Sequence, residues 1–217
     1  MTPIPDSLLA APDLPRLVEE LQRTVAEEAA ARARFRDTIT PSQKAEFIGG
    51  ETIMHSPARA RHTSVVKRLL KLLDTYVALH DLGWVGVEKS LIALTRNDYE
   101  PDVCFFGVEK AAQITPDTLT FPAPDLAVEV LSPSTEARDR GIKFEDYALH
   151  EVGEYWLVDP IAEDVEQYVR GADGAYVLRM KSVSGELVSA AVEGFAVPVR
   201  ALFDEAANLA ALRALLA

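Results

Sequence analysis

Residues 125–160 read DLAVEVLSPSTEARDRGIKFEDYALHEVGEYWLVDP, and this run decides the fold. Residues 125–131 form a short apolar run of strand length, with one acid, Glu129, in its interior. Ser132-Pro133-Ser134-Thr135 supplies a turn and an N-cap. From Thr135 the spacing predicts a helix that continues through Gly141, a glycine costing about 1 kcal/mol relative to alanine there. Gly153 closes that unit, and residues 154–160 read as the next strand.

Upstream, residues 58–83 predict a strong helix. Val65, Val66, Leu69, Leu72, Leu73, Tyr76 and Leu79 recur at helical spacing, and Gly83 is expected as its C-terminal cap. Then the period changes. Residues 84–95 predict a strand, Asn97-Asp98 a turn, and residues 101–106 (PDVCFF) a nearly continuous apolar strand opened by a proline, which strands tolerate at their first position. A polar connection, 109–124, carries Pro116, Pro122 and Pro124. The order over 58–158 is therefore helix, strand, strand, strand, helix, strand, an α/β architecture in three layers around a mixed sheet.

Outside that core, residues 44–57 predict two short strands turning at Gly49-Gly50. Residues 164–197 predict about three further strands with Gly171, Gly174 and Gly185 at turns, and residues 201–217 a final helix. Residues 13–36 predict a long helix with an apolar stripe of Leu14, Val18, Leu21 and Val25. It is expected to pack on its own domain, and a second copy of the chain is the other possible partner for that stripe. The expected division is a helical arm, 1–43, and a domain, 44–217.

The chain has 217 residues and a formal net charge of −12, from 22 Lys plus Arg against 34 Asp plus Glu. Its length allows about 70% of the unfolded surface to be buried. Hydrophobic residues at 48% and charged residues at 26% exclude wholesale disorder. No apolar run reaches the roughly 18 residues of a membrane span. The N-terminal residues lack the pattern of a secretory signal. The single cysteine, Cys104, excludes a disulfide framework and a cysteine-based zinc site, so a reducing cytosol is expected.

The acidic balance offers no global field for nucleic acid. A local basic patch does exist. Between Glu51 and Asp74 there is no acid, while Arg59, Arg61, Lys67, Arg68 and Lys71 contribute five positive charges, alongside His55 and His62. Arg59, Arg61, His62, Lys67 and Arg68 are the expected contacts to a phosphate backbone. A helix that complements acidic neighbours would show the same pattern.

Two acids occupy costly places. Asp102 begins an apolar strand, and Glu129 sits among valines. Alternation puts Asp125, Ala127, Glu129 and Leu131 on one strand face, with Asp125 at the strand mouth, and Leu126, Val128 and Val130 on the other. If the two strands are neighbours, Asp102 and Glu129 converge on a hard-oxygen site suited to Mg2+ or Mn2+. Asp139, Lys143 and Tyr147 share one helix face. Lys143 could serve an attacking water and a charged transition state, or be half of an ordinary Asp139–Lys143 surface pair. Glu46, in the first strand, is either a third acid of the site or a solvent-facing residue.

The constellation of Glu46, Pro101-Asp102, Asp125 to Thr135, Arg138 to Gly141 with Lys143, and Glu154 to Pro160 resembles the Uma-type restriction endonucleases of the PD-(D/E)XK nuclease superfamily. The resemblance covers about residues 44–170. It implies a restriction-endonuclease-like fold and Mg2+-dependent hydrolysis of phosphodiesters. It implies that Asp102, Glu129 and Glu46 hold the metal, with the Val130 carbonyl completing the shell. The superfamily's usual lysine two residues after the second acid is absent, since position 131 is Leu, and the resemblance implies that Lys143 takes its part. The expected function is a metal-dependent endonuclease acting on nucleic acid, DNA above all, as a homodimer with no membrane partner. A silent nuclease scaffold used for self-association or partner binding is the alternative, and a hydrolase of small phosphate esters a third reading.

Overall fold

The computed structural model describes residues 4–40 and 42–217. In chain order the elements are α1 (Asp6–Leu9), α2 (Leu14–Thr38), β1 (Ala45–Ile48), β2 (Glu51–Met54), α3 (Ala60–Leu79), β3 (Gly83–Val87), β4 (Leu91–Ala93), β5 (Asp98–Tyr99) and β6 (Val103–Gly107). They continue with α4 (Val108–Ala111), β7 (Thr120–Phe121), β8 (Leu126–Val130), α5 (Glu136–Asp139), α6 (Ile142–Leu149), β9 (Glu154–Asp159), β10 (Asp164–Arg170) and β11 (Tyr176–Ser182). The last are β12 (Glu186–Val188), β13 (Ala196–Pro198) and α7 (Glu205–Leu215).

A six-stranded mixed sheet, ordered β11-β10-β9-β8-β6-β3, forms the centre, and only its β8–β9 pair is parallel. The expected helix–strand–strand–strand–helix–strand core is α3, β3, β6, β8, α6 and β9. Alternation along β8 sorts its side chains. Leu126, Val128 and Val130 join Leu69, Leu72 and Leu73 of α3, together with Phe195, Val197 and Leu202 from the C-terminal region. Each of those leucines is fully buried, worth about 2 kcal/mol of hydrophobic stabilisation. Ala127 and Leu131 face the other way, toward Tyr147 of α6, Ile92, Tyr99 and Tyr155. A second sheet, β2-β1-β5-β4-β7, lies on that side.

Four local readings change. Gly83 is not a helix cap: α3 ends at Leu79 with His80 as its C-cap, and Gly83 opens β3 at φ 142°, where a Cβ would lie 2.0 Å from the Phe106 carbonyl oxygen. Only glycine allows that approach. The strand expected over 84–95 is cut at Glu88 and Lys89, both at positive φ, so that β3 and β4 join different sheets. The helix expected to pass through Gly141 is broken there, giving α5 and α6 with Gly141 between them at ψ −104°. Asp98, expected in a turn, is a fully buried strand residue.

The long N-terminal helix packs over its second half only. Phe35 is buried against Phe47, and Arg32 and Arg36 both hold Asp98 of β5, with Arg32 Nε 3.0 Å from Oδ2 and Arg36 Nη2 2.6 Å from Oδ1. Val18, Leu21 and Val25 of the predicted stripe are exposed. The helix ends at Thr38, before the expected boundary at residue 43, and its second half is pinned to β1 and β5 beyond it. No helix among the described residues is long and apolar enough to cross a membrane.

Candidate active site

Register brings the two acids together. Val103 pairs with Val128 across the antiparallel β6–β8 ladder, and one step further Asp102 stands opposite Glu129. The Val130 N–H donates to Asp102 Oδ2 at 2.9 Å, fixing that carboxylate on the neighbouring strand. Both acids line a cleft of about 720 Å3, shared with Lys143, Lys44, His55, His62, Arg59, Arg61, Arg138, Glu100 and the Ser132–Thr135 turn. The break at Gly141 matters here. A Cβ on Gly141 would meet the Ala137 carbonyl oxygen at 2.8 Å, and the turn it permits starts α6 with Lys143 pointing into the protein.

Lys143 is 1% exposed and is ringed by three carboxylates. Its Nζ lies 2.8 Å from Glu46 Oε1, 3.1 Å from Glu129 Oε1 and 3.1 Å from Asp139 Oδ1. Burial works against the ammonium, but Glu129, Glu46 and Asp139 outweigh it and hold its pKa well above the ordinary lysine value. The Tyr147 hydroxyl donates to the same Glu129 Oε1 at 3.4 Å. These contacts use one oxygen of Glu129 and leave Oε2 for a cation.

The carboxylates differ in state. Burial raises Glu129, and Asp139, Asp102 and Glu46 add to that rise against Lys143, so its proton affinity stands well above the usual value. Burial would also raise Glu46 and Asp102, but their partners prevail. Lys143 and His55 bring Glu46 down to about 2, and His62 with Lys44 holds Asp102 well below its usual range. Asp102 Oδ1 receives Lys44 Nζ at 2.8 Å and His62 Nε2 at 3.2 Å. His62 is shifted upward, its burial outweighed by Asp102. Burial pushes Glu100 up to about 7.

Glu46 is fully buried and stands behind Lys143 without lining the cleft. Its Oε1 accepts from Lys143 and from the Glu100 N–H, and its Oε2 lies 3.1 Å from His55 Nε2 without the alignment of a hydrogen bond. Glu46 is expected as a metal ligand, and the structure places it against Lys143, outside the cleft lining. Of the expected backbone contacts, Arg59, Arg61 and His62 reach the cleft. Lys67 and Arg68, two turns further along α3, do not. Arg68 binds Glu205 and the Phe203 carbonyl, and Lys71 also binds Glu205, so this half of the patch complements α7. Asp125, at the far end of β8, is engaged by the Gly107 N–H and Lys110.

Sequence reasoning missed Lys44 as a member of the cleft, gave Tyr147 and Arg138 no role of their own there, and missed the burial of Asp139. Asp139 and Tyr147 left a signal, their helical spacing to Lys143.

Among the described residues, no three His, Cys, Asp or Glu side chains gather as a ready metal cage. Magnesium does not need one. It binds through one or two carboxylates and completes its shell with waters and substrate phosphate oxygens. Asp102 and Glu129 would be such a donor pair, with Glu129 Oε2 outside the contacts that Lys143 and Tyr147 make to Oε1. The site fits that ion on the condition that Lys44 yields Asp102 Oδ1.

A mixed sheet carrying an acid on each of two adjacent strands, with a lysine delivered from the following helix, defines a restriction-endonuclease-like protein. The profile of the Uma2 family, described as "Putative restriction endonuclease", matches residues 32–200, and the chain belongs to that family. Two uncharacterized proteins of Synechocystis sp. are similar. One is 31% identical over 150 residues, 67% of this chain and 76% of the relative. The other is 29% identical over 140 residues, 63% of this chain and 78% of the relative. A crystal structure described as a putative nuclease of the DUF820 group, from Anabaena variabilis, superposes with a TM-score of 0.67 at 17% identity, over 78% of this chain and 94% of that one. That likeness shows the shared fold.

Proposed function

We propose that this chain is a metal-dependent endonuclease that hydrolyses phosphodiester bonds in DNA, with Mg2+ or Mn2+ as its ion. The observation that carries the reading is Lys143 Nζ at 3.1 Å from Glu129, with Asp102 opposite on the adjacent strand and all three lining one cleft. In this reading Asp102 and Glu129 hold the ion, which supplies Lewis acidity and a water of lowered pKa. Lys143 stays protonated and neutralises charge that develops on the phosphoryl oxygens. Glu46 and Asp139 keep the lysine charged and aimed, so they act through it. Arg59, Arg61 and His62 meet the phosphate backbone at the rim. A homodimer would bring two clefts to the two strands of a duplex, and the exposed Val18, Leu21 and Val25 offer it a contact surface. Cys104, buried and unpaired, accords with a reducing cytosol.

Plasmid nicking in Mg2+ tests the reading. Asp102→Ala and Glu129→Ala are each expected to abolish nicking while the circular dichroism spectrum stays native. Nicking retained by the purified double variant would overturn it. One observation favours a second reading, a silent scaffold: Lys44 and His62 both occupy Asp102 Oδ1. Calorimetric titration separates the two, because a scaffold with those cations in permanent place takes up no Mn2+ at millimolar concentration.

A further inference from the structure

Most arginines of this acidic chain are committed to partners. Arg32 and Arg36 hold Asp98, Arg68 holds Glu205, Arg96 holds Glu28, and Arg140 holds Glu136 and Glu166. Arg138 is different. It is half-buried and lines the cleft, yet its guanidinium makes no hydrogen bond or ion pair among the described residues, and its Nε is buried without a partner. A buried donor left unpaired is uncommon, and in a native fold it asks for a missing partner. Asp139, the adjacent residue, cannot serve, because it is buried and turned to Lys143. The Ser132 hydroxyl beside it already bonds to Ser134 and Thr135 at 3.1 and 3.0 Å.

We propose that Arg138 is a substrate-binding residue whose guanidinium takes a nonbridging oxygen pair of a phosphodiester in the cleft. The inference rests on the nuclease reading for its setting. Three physical points lead to it. A planar guanidinium matches two phosphate oxygens with parallel hydrogen bonds, a geometry no lysine reproduces. Arg138 lines the same cleft as Glu129 and Lys143, so a phosphate held on Arg138 shares that cleft with them. Arg59 and Arg61 reach the same cleft from the N-terminal end of α3, also without ion pairs, so a phosphodiester backbone would be met by guanidinium groups from two elements.

Fluorescence anisotropy with a labelled DNA duplex tests this in Ca2+, an ion that supports binding with little turnover, across a series of salt concentrations. Arg138→Ala is expected to weaken binding on the order of 10- to 100-fold. It should also lower the slope of log K against log salt by about 0.9, the signature of one lost phosphate contact. Arg138→Lys should restore the slope and only part of the affinity. Mg2+-dependent nicking by the same proteins supplies the second arm. If the wild type nicks DNA and Arg138→Ala binds and nicks as well, the assignment of Arg138 is overturned and the nuclease reading stands. If the wild type does not nick but Arg138→Ala still loses affinity and slope, the phosphate subsite stands and the nuclease reading falls. Wild-type protein that binds no duplex at low salt would overturn the subsite itself.

Discussion

Lys143 Nζ lies 2.8 Å from Glu46 Oε1, and this contact ties the helix after the Glu129 strand to the first strand of the second sheet. The same ammonium reaches Glu129 and Asp139, so one buried cation stands among three buried carboxyl groups. Lys143→Met removes the cation and leaves Glu46, Glu129 and Asp139 without their shared partner in a poorly solvated place. Breaking a buried pair in this way costs about 3–5 kcal/mol. Urea denaturation at pH 7 is expected to show that loss, with a smaller one for Glu46→Gln, which keeps its shape and relieves part of the crowding. A Lys143→Met midpoint equal to that of the wild type would mean the three acids do not depend on the lysine.

Lys44 sets the terms on which a metal enters. Its ammonium is 2.8 Å from Asp102 Oδ1, where a divalent ion would bind. Lys44→Ala removes that competitor and its positive charge. Mn2+ affinity measured by calorimetry is expected to tighten by roughly 3- to 10-fold, a change of about 1 kcal/mol. Asp102→Asn should abolish the binding heat. Weaker Mn2+ binding by Lys44→Ala would make the lysine a supporter of the metal site and reverse this assignment.

Much of this arrangement was legible in the sequence. Glu129 and Asp102 could be found because period-two alternation places each acid among apolar neighbours, and burial of a charge needs a reason. Lys143 could be found because helical spacing links it to Asp139 and Tyr147. What alternation cannot give is the register between strands, which sets Asp102 opposite Glu129, or the turn at Gly141 that aims the lysine. Glu46 illustrates the gap. As one acid in a four-residue strand, it gives no sign whether it faces solvent or interior until α6 and the central sheet lie across it. The basic patch fails for a related reason. Arg59 and Arg68 are near in sequence, but α3 rotates them apart, one to the cleft and one to Glu205. The exposed stripe of α2 has no such explanation within one chain, since Val18, Leu21 and Val25 have the pattern of a packed face without the packing.

Asp98 gives the pH prediction. Burial would raise its pKa, but hydrogen bonds from Arg32 and Arg36 win, and the carboxyl sits below the ordinary value near 4. A group with a lowered folded pKa contributes stability that is fully present above its unfolded pKa and lost as pH falls through the folded one. The stability gap between wild type and Asp98→Asn is therefore expected to be full at pH 7 and pH 5, about 3 kcal/mol, and to narrow below pH 4. Urea midpoints of the two proteins at those values measure it. A gap that widens on acidification would contradict the sign.

The two halves of α2 should respond differently to truncation. Among the described residues, removing 1–25 takes away exposed or partly exposed side chains and the surface ion pairs of Arg16 with Glu20 and of Arg23 with Glu27, each worth at most about 1 kcal/mol. Thermal unfolding is expected to shift by only a few degrees. Removing residues 1–38 also deletes Phe35, Arg32 and Arg36, exposes Phe47 and strands Asp98 as a charge without a partner. Losing a packed aromatic costs about 3–5 kcal/mol, and an uncompensated carboxylate a similar amount. The longer truncation should therefore unfold at far lower temperature or fail to fold. Asp98→Asn built into it should recover part of the loss, because the amide needs no cation. Equal melting of the two truncations would show that the helix is an arm along its whole length.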